Sequence, residues 1–214
     1  MRRGGQTGRG RSPLQRPTRD RLRSGDIILI VCEGGKTEPD YFNGLRRRWR
    51  LGAYVEVVGD ASGSAPINVV NYALERKSQA EKGAGVPYDA VWCVFDHDRH
   101  KTLDRALSKA KSNGLLVALS VPCFEFWYLL HFAYTTRAFG KCGEVVKELC
   151  RHIRGYRKGK VELDMLWPNL PAAVANAQRV REDNKKTGAA SPMTDVDLLI
   201  EKLIEMTGKS IDDL

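Results

Sequence analysis

Apolar positions cluster in four short runs, at residues 27–32, 54–58, 90–95 and 115–121. Each run is nearly continuous rather than alternating, which is the pattern of a strand covered on both faces of a sheet. Between them the period changes. Residues 38–50 follow a helical pattern, and Pro39 is tolerated in a helix's first turn. Ser64 is placed to cap a second helix, with Pro66 just inside it and Ile67, Val70 and Leu74 on its buried stripe. Leu103, Ala106, Leu107 and Ala110 recur at helical spacing before the stop signal Asn113-Gly114. Strands alternating with helices of this length predict βαβ units and a parallel sheet.

The last third of the chain reads differently. The segment "PCFEFWYLLHF" predicts a buried helix after Pro122, and helical patterns follow at residues 144–153, 171–184 and 194–206. In the last of these, Val196, Leu199, Ile200, Leu203 and Ile204 share one face. Loops rich in Gly and Lys, "RGYRKGK" and "NKKTGAASP", separate these helices. The expected organisation is a disordered basic tail at 1–24, an α/β core at 25–135 and a mainly helical extension at 136–214 packed on that core.

Charge sharpens this division. Residues 1–24 hold eight arginines against one acid, +7 of the chain's net +9, so the remainder is nearly neutral. Such a segment cannot bury enough apolar surface to fold. It suits either an arm contacting nucleic-acid phosphates or a solvated extension. No apolar run approaches the length of a membrane helix, and the N-terminus lacks the apolar core of a signal peptide, so no membrane association and a cytoplasmic location are expected. Five irregularly spaced cysteines predict buried thiols in a reducing compartment. Without a C-x-x-C pair, a zinc site built on Cys142, Cys150 and His152 is disfavoured.

The candidate chemistry sits where strands end. In "ILIVCEGGKTEPDYF" the tail Gly35-Lys36-Thr37 suggests a phosphate-binding P-loop, but the glycine that motif needs five positions before Gly35 falls on Ile30, inside the strand. What remains is Glu33 at the C-terminal end of the first strand, where open parallel sheets form their sites. "AVWCVFDHDRH" puts Asp96 and Asp98 directly after another strand, two residues apart and so facing one spot if the chain stays extended. Like charges held close call for a cation between them, and magnesium prefers such oxygen ligands. Lys36, Arg99 and His100 stand ready for phosphate oxygens, with Lys101 beside them. Glu125, amid Phe124, Phe126 and Trp127, is costly to bury unless paired or metal-bound; it either joins the same crevice or favours its own helix N-terminus. Glu38 reads as a helix-start acid and His131 as a core histidine. Phe124, Trp127, Tyr128 and Phe132 read as core rather than a base-stacking platform.

An E-G-x-x-[TD] element after the first strand and D-x-D after a later one resemble the Toprim domain of topoisomerases, primases and overcoming-lysogenization-defect nucleases. Together with "PCFEFWYLLHF" and the late "SPMTDVDLLIEKL", the blocks resemble the RloB-like family of Toprim-related bacterial proteins, over most of the chain from about residue 26 to 206. One departure is Val121, where the family pattern has Asn before "PCFE". The resemblance implies a Toprim-like (Rossmann-like) parallel sheet flanked by helices, with a C-terminal helical extension. It implies Glu33 as general acid or base and the Asp96 and Asp98 acids as holders of Mg²⁺, with Mn²⁺ as the alternative ion. It also implies a place in antiphage or restriction-linked defence, beside an AAA-type ATPase.

The expected function is therefore Mg²⁺-dependent phosphodiester cleavage of RNA or DNA. Glu33, Asp96 and Asp98 are the catalytic set, Lys36, Arg99 and His100 the substrate contacts, and Glu33, Asp96, Asp98 and Glu125 the metal ligands. The alternative is a non-catalytic sensor or scaffold that binds metal, nucleic acid or an ATPase partner; oligomerisation is left open by either. A dehalogenase-type phosphatase also uses D-x-D, but its hydroxyl residue four places after the first Asp is here His100.

Overall fold

In the computed structural model the described residues are 25–60, 65–97, 101–160 and 163–213. The basic segment 1–24 and the cap expected at Ser64 lie outside them. So do Asp98, Arg99 and His100.

Strands β1 (Ile28–Cys32), β2 (Val55–Gly59), β3 (Ala90–Asp96) and β4 (Leu116–Val121) form the parallel part of a five-stranded sheet of order β2-β1-β3-β4-β5. The four apolar runs thus become four strands, each displaced by a residue at most from its sequence bounds. Between them lie α1 (Thr37–Arg48), α2 (Pro66–Gln79) and α3 (Leu103–Ser112). Pro66 opens α2 as expected, with Ala65 in the extended conformation at its cap. Gly114, at φ +66°, carries the chain out of α3.

The near-continuous apolar strands are explained by two cores. Ile28, Ile30 and Cys32 of β1 point to the face covered by α1, where they meet Tyr41, Phe42 and Leu45. Leu29 and Val31 point to the other face, among Val69, Val70 and Ala73 of α2 and Ala106 and Ala110 of α3. With a period of two along the strand, both sets must be apolar.

The later helices are α4 (Glu125–Leu130), α5 (Cys142–Leu149), α6 (Leu163–Leu166), α7 (Leu170–Thr187) and α8 (Val196–Glu205). Leu170, Ala173, Val174 and Ala177 of α7 and Leu199, Ile200 and Leu203 of α8 join the α1-side core. Two features depart from the sequence expectation. The short helix α6 was not foreseen, and the sheet is not wholly parallel. A two-residue strand β5 (Met193–Thr194) pairs antiparallel with β4, at Ser120↔Thr194 and Val121↔Met193. Thr194 therefore does not begin the last helix: its hydroxyl meets Ser120 Oγ at 3.0 Å and accepts the Val196 N–H at 3.3 Å, just before α8 starts. Behind it, Arg181 of α7 holds the buried carboxylate of Asp197 at 2.5 and 2.7 Å.

The expectation of five buried thiols is also corrected. Cys32 and Cys93 are free and buried, Cys150 is free and exposed, and Cys123 is joined to Cys142 in a disulfide across 19 residues. That bond fixes the first residue of α5 to the segment leading into α4. No helix among the described residues is long and apolar enough to cross a membrane.

Candidate functional site

The chain passes from β1 through α1 to β2 on one side, and from β2 through α2 to β3 on the other side of β1. The C-terminal ends of β1 and β3 therefore flank the point where the strand order reverses, the usual place for a site in an open α/β sheet. Glu33 follows β1 and Asp96 ends β3. The ladder continues into both: Glu33 N–H donates to Val94 C=O at 2.9 Å, and Asp96 N–H donates to Glu33 Oε2 at 3.2 Å.

Two close approaches shape the turn after β1. A Cβ on Gly59, at the end of β2, would stand 2.2 Å from Pro39 Cγ and 2.7 Å from the Gly34 carbonyl oxygen. A Cβ on Gly34 would stand 2.6 Å from Glu38 Oε2. The bare backbone lets the Glu33–Gly34 turn sit between β2 and α1, with the Glu38 side chain folded back over it. Glu38 is only 6 % exposed. Burial raises its pKa, and the nearby Glu125 charge adds to this, while Lys158 acts against it. The helix-start reading of Glu38 captured its position in the first turn of α1 but not its place in the crevice.

A crevice of about 370 Å³ is lined by Glu33, Lys36, Glu38, Asp96, Lys158 and Gly159, with Gly34, Gly35 and Thr37 completing its wall. A second cavity of about 370 Å³ shares Asp96 and Lys158 with it and is bounded by Pro122, Cys123, Lys141 and Cys142. Burial pushes the Asp96 carboxyl well above the usual carboxylate range; Glu38, Glu125 and Glu33 push it further, and Lys158 opposes them. Glu33, Glu38 and Glu125 thus all oppose ionisation of Asp96, and Lys158 favours it.

Glu125 opens α4 and is fully buried, with 0 % exposure. Its Oε1 accepts a hydrogen bond from Tyr156 OH at 3.1 Å and lies 3.6 Å from Lys158 Nζ. Its Oε2 lies 3.2 Å from the Cys142 sulfur. Glu125 starts its helix, and from behind the crevice wall its carboxylate reaches Lys158, which lines the crevice. Burial works to lower the Lys158 pKa, but the carboxylates of Glu125, Asp96 and Glu38 outweigh it and hold it above the usual lysine value. Tyr156 is raised as well, by burial and by Glu125.

Of the residues singled out by sequence, Glu33 and Asp96 line the crevice, Lys36 stands exposed on its rim, and Glu125 lies buried behind it against Lys158. Asp98, Arg99 and His100 lie outside the described residues, so their roles remain expectations. Sequence reasoning missed Glu38, Tyr156 and Lys158. The last two sit in the "RGYRKGK" loop, whose Gly159, at φ +71°, packs against Lys36 so closely that a Cβ there would lie 3.2 Å from Lys36 Cβ. His131 is a core residue as expected: its Nδ1 lies 2.9 Å from the Trp127 carbonyl. Phe124, Trp127 and Tyr128 are buried and Phe132 packs against the same core, so none forms an open stacking platform.

Glu33, Glu38, Asp96 and Glu125 offer the oxygen atoms a hard cation such as magnesium prefers, but among the described residues no three of these carboxylates gather within 4.8 Å of one another. Burial first, and the neighbouring acids second, hold the Asp96 pKa above its usual range. Cys123, Glu125 and Cys142 bring ligand atoms within 4.8 Å of one another. With the two sulfurs bonded to each other, that trio offers a metal only its carboxylate.

A family model described as RloB-like protein matches residues 28–203. No curated protein matches the chain, and no solved structure does.

Proposed function

The chain belongs to the RloB-like family, and from that premise we propose that it is a Mg²⁺-dependent nuclease, cleaving phosphodiester bonds of RNA or DNA in a bacterial antiphage or restriction-linked system. The observation that carries this reading is the contact of Glu33 with Asp96 across the switch point, with Glu38 and Glu125 in the same electrostatic cluster. The match to the family covers most of the chain but names no activity.

In this reading Glu33, Asp96, Asp98 and Glu125 would hold the cation, with Glu38 beside them. When bound, a magnesium ion would supply charge neutralisation at the scissile phosphate and lower the cost of ionising a water. Glu33 is partly exposed, reaches the crevice from the strand end and is the acid best placed to take a proton from the attacking water. Lys36, on the rim, would meet phosphate oxygens; Asp98 follows Asp96 in sequence as a further metal ligand, and Arg99 and His100 as further phosphate contacts. Mn²⁺ would serve in the same oxygen set.

A second reading has its own support. Lys158 already places a positive charge among the acids, 3.6 Å from Glu125. A site neutralised from within suits a protein that binds metal or nucleic acid as a sensor, or that waits for an AAA-type ATPase partner to move the Lys158 loop.

The test is purified protein with Mg²⁺ or Mn²⁺ and labelled tRNA, single-stranded RNA and duplex DNA, beside the Glu33→Gln and Asp96→Asn variants. Metal-dependent cleavage lost in both variants supports the nuclease. Cleavage retained in Asp96→Asn removes the assignment. A metal-induced rise in melting temperature with no turnover, alone or with the ATPase, favours the sensor.

A further inference from the structure

Helix α1 begins at the acidic crevice and ends at Arg48; with 12 residues at about 1.5 Å each, it carries the chain about 18 Å away, toward the opposite end of the strands. There the charge reverses. The sequence Arg46-Arg47-Arg48-Trp49-Arg50 closes the helix and the turn after it, and Arg47, Arg48 and Arg50 are exposed. A cavity of about 550 Å³ opens beside them, lined by Gly25, Arg48, Trp49, Arg50, Tyr54 and Lys209. A larger cavity of about 760 Å³, lined in part by Arg46, meets it at Tyr54.

Part of this basicity has a local use. Cations in the last turn of a helix complement its dipole, and Arg48 pairs with Asp164 at 2.9 Å while lying 4.1 Å over the Trp167 ring. Arg46, Arg47 and Arg50 form no ion pair with an acid among the described residues. Arg50 also lies beyond the helix, at φ 58°, a left-handed conformation that suits Gly or Asn better than Arg. Arg46 and Arg50 therefore bring unpaired positive charge to the walls of the two adjoining cavities, with Arg47 exposed beside them. The chain also enters the described fold at Gly25, on the wall of this cavity, directly after the 24 residues that hold eight arginines. Arg46, Arg48 and Arg50 thus stand at the far end of α1 from the acidic crevice, beside the point where the described chain begins.

We propose that this end is an anchoring surface for the phosphate backbone of a nucleic acid. Planar guanidinium groups match phosphate oxygens in pairs, and Tyr54, on the wall common to both cavities, places an aromatic ring beside them. The proposal deepens the nuclease reading and takes from it the identity of the partner. It also narrows the substrate class. A strand that reaches both the crevice and the anchor spans about 18 Å, or about five nucleotides at roughly 3.4 Å each, so an oligonucleotide is held and a mononucleotide is not.

The experiment is binding of short labelled single-stranded RNA and duplex DNA to the full chain in EDTA, read by fluorescence anisotropy from low to physiological salt. An Arg46→Gln/Arg47→Gln/Arg50→Gln variant and Asp96→Asn run alongside, every protein keeping residues 1–24. The triple variant is expected to bind more weakly, its plot of log affinity against log salt shallower by about 2–3 for three lost phosphate contacts. Asp96→Asn is expected to bind at least as well as wild type. Arg50→Gln alone, exposed and outside the helix, loses about one from the slope and serves if the triple variant does not fold. An unchanged affinity and slope in a folded triple variant overturns the anchor. So does wild-type protein that binds neither nucleic acid, or that, offered phosphatidylserine vesicles in the same buffer, binds those alone. Because the binding is read without metal, it tests the anchor alone: failure of the nuclease reading shows as binding in EDTA with no cleavage once Mg²⁺ is added, and failure of the anchor as cleavage with Mg²⁺ but an unaltered salt slope in the triple variant.

Discussion

The carboxylate of Glu33 accepts a hydrogen bond from the backbone N–H of Asp96 at 3.2 Å, joining the ends of two adjacent parallel strands. The pair is set by the sheet rather than by a loop, so substitutions of the acids should leave the fold intact and expose the electrostatics directly.

Replacing Asp96 by Asn removes one charge from a cluster in which Glu38, Glu125 and Glu33 all oppose its ionisation. Without metal and above neutral pH, Asp96→Asn should melt higher than wild type. Wild type should gain about 3 kcal/mol at a hundredfold excess of Mg²⁺ over its dissociation constant, a rise of several degrees for a chain of this size, and the variant should gain little. Differential scanning fluorimetry with and without Mg²⁺ checks both. Equal metal responses would remove Asp96 from the ligand set.

Lys158 opposes the raised pKa values of both Asp96 and Glu38, and it lies 3.6 Å from the buried Glu125. Lys158→Met should lower stability in EDTA by about 1 kcal/mol, the lysine being well exposed and the pair partly screened. The same variant should show a larger Mg²⁺-induced rise, because the ion no longer competes with a resident charge. A smaller rise than in wild type would mean that Lys158 supports the bound state instead.

How much of this was legible in sequence follows from the range of the forces involved. Parallel strands buried on both faces announce themselves as apolar runs, and Glu33 and Asp96 could be found because they directly follow such runs. Glu38 lies in the same stretch, yet its local role as a first-turn acid hid its burial, which depends on Gly34 lacking a side chain and on Glu125 arriving from a distant strand end. Tyr156 and Lys158 sit in a loop without periodicity, placed by its packing on Lys36. Strand β5 is two residues long and exists through its pairing with β4, so no local pattern marks it. The Cys123–Cys142 bond joins residues 19 apart, each unremarkable in its own segment.

Gly59 offers a test of how tightly the turn after β1 is held. A Cβ there would stand 2.2 Å from Pro39 Cγ and 2.7 Å from the Gly34 carbonyl oxygen, and a proline ring and a backbone carbonyl give way poorly. Gly59→Ala should cost about 1–3 kcal/mol in urea unfolding and should weaken metal binding by displacing Glu33. Unaltered stability and metal response would show that the turn adjusts freely.

Arg181 and Asp197 hold the C-terminal helices together behind β5. Asp197 is 0 % exposed, and both its oxygens accept from one guanidinium nitrogen, at 2.5 and 2.7 Å. Removing the arginine leaves a buried carboxylate without its partner, which is worth about 3–5 kcal/mol. Arg181→Met should unfold at much lower urea, and the double change with Asp197→Leu should recover a large part of the loss. If the double variant is no more stable than the single one, the pair is not the source of the effect.

His131 gives the stability its acid limit. Its ring is buried beside Tyr41 and Trp127, its Nδ1 lies 2.9 Å from the Trp127 carbonyl, and its Nε2 has no partner among the described residues. A second proton would be buried on Nε2 without an acceptor, and burial accordingly pushes the pKa down to about 4. The unfolded chain takes up that proton near pH 6.5, so the neutral ring's contribution is present above pH 6.5 and is lost as pH falls toward about 4. At about 1.4 kcal/mol per pH unit the loss amounts to about 3 kcal/mol. Glu38 and Asp96, with raised values, act in the opposite sense over part of this range, since their protonation favours the folded state. Comparing wild type with His131→Leu cancels them. Urea unfolding from pH 7 down to pH 4 should therefore show wild type losing about 3 kcal/mol more than the variant, with the divergence beginning near pH 6.5. Parallel curves would mean that the buried ring accepts its second proton without cost.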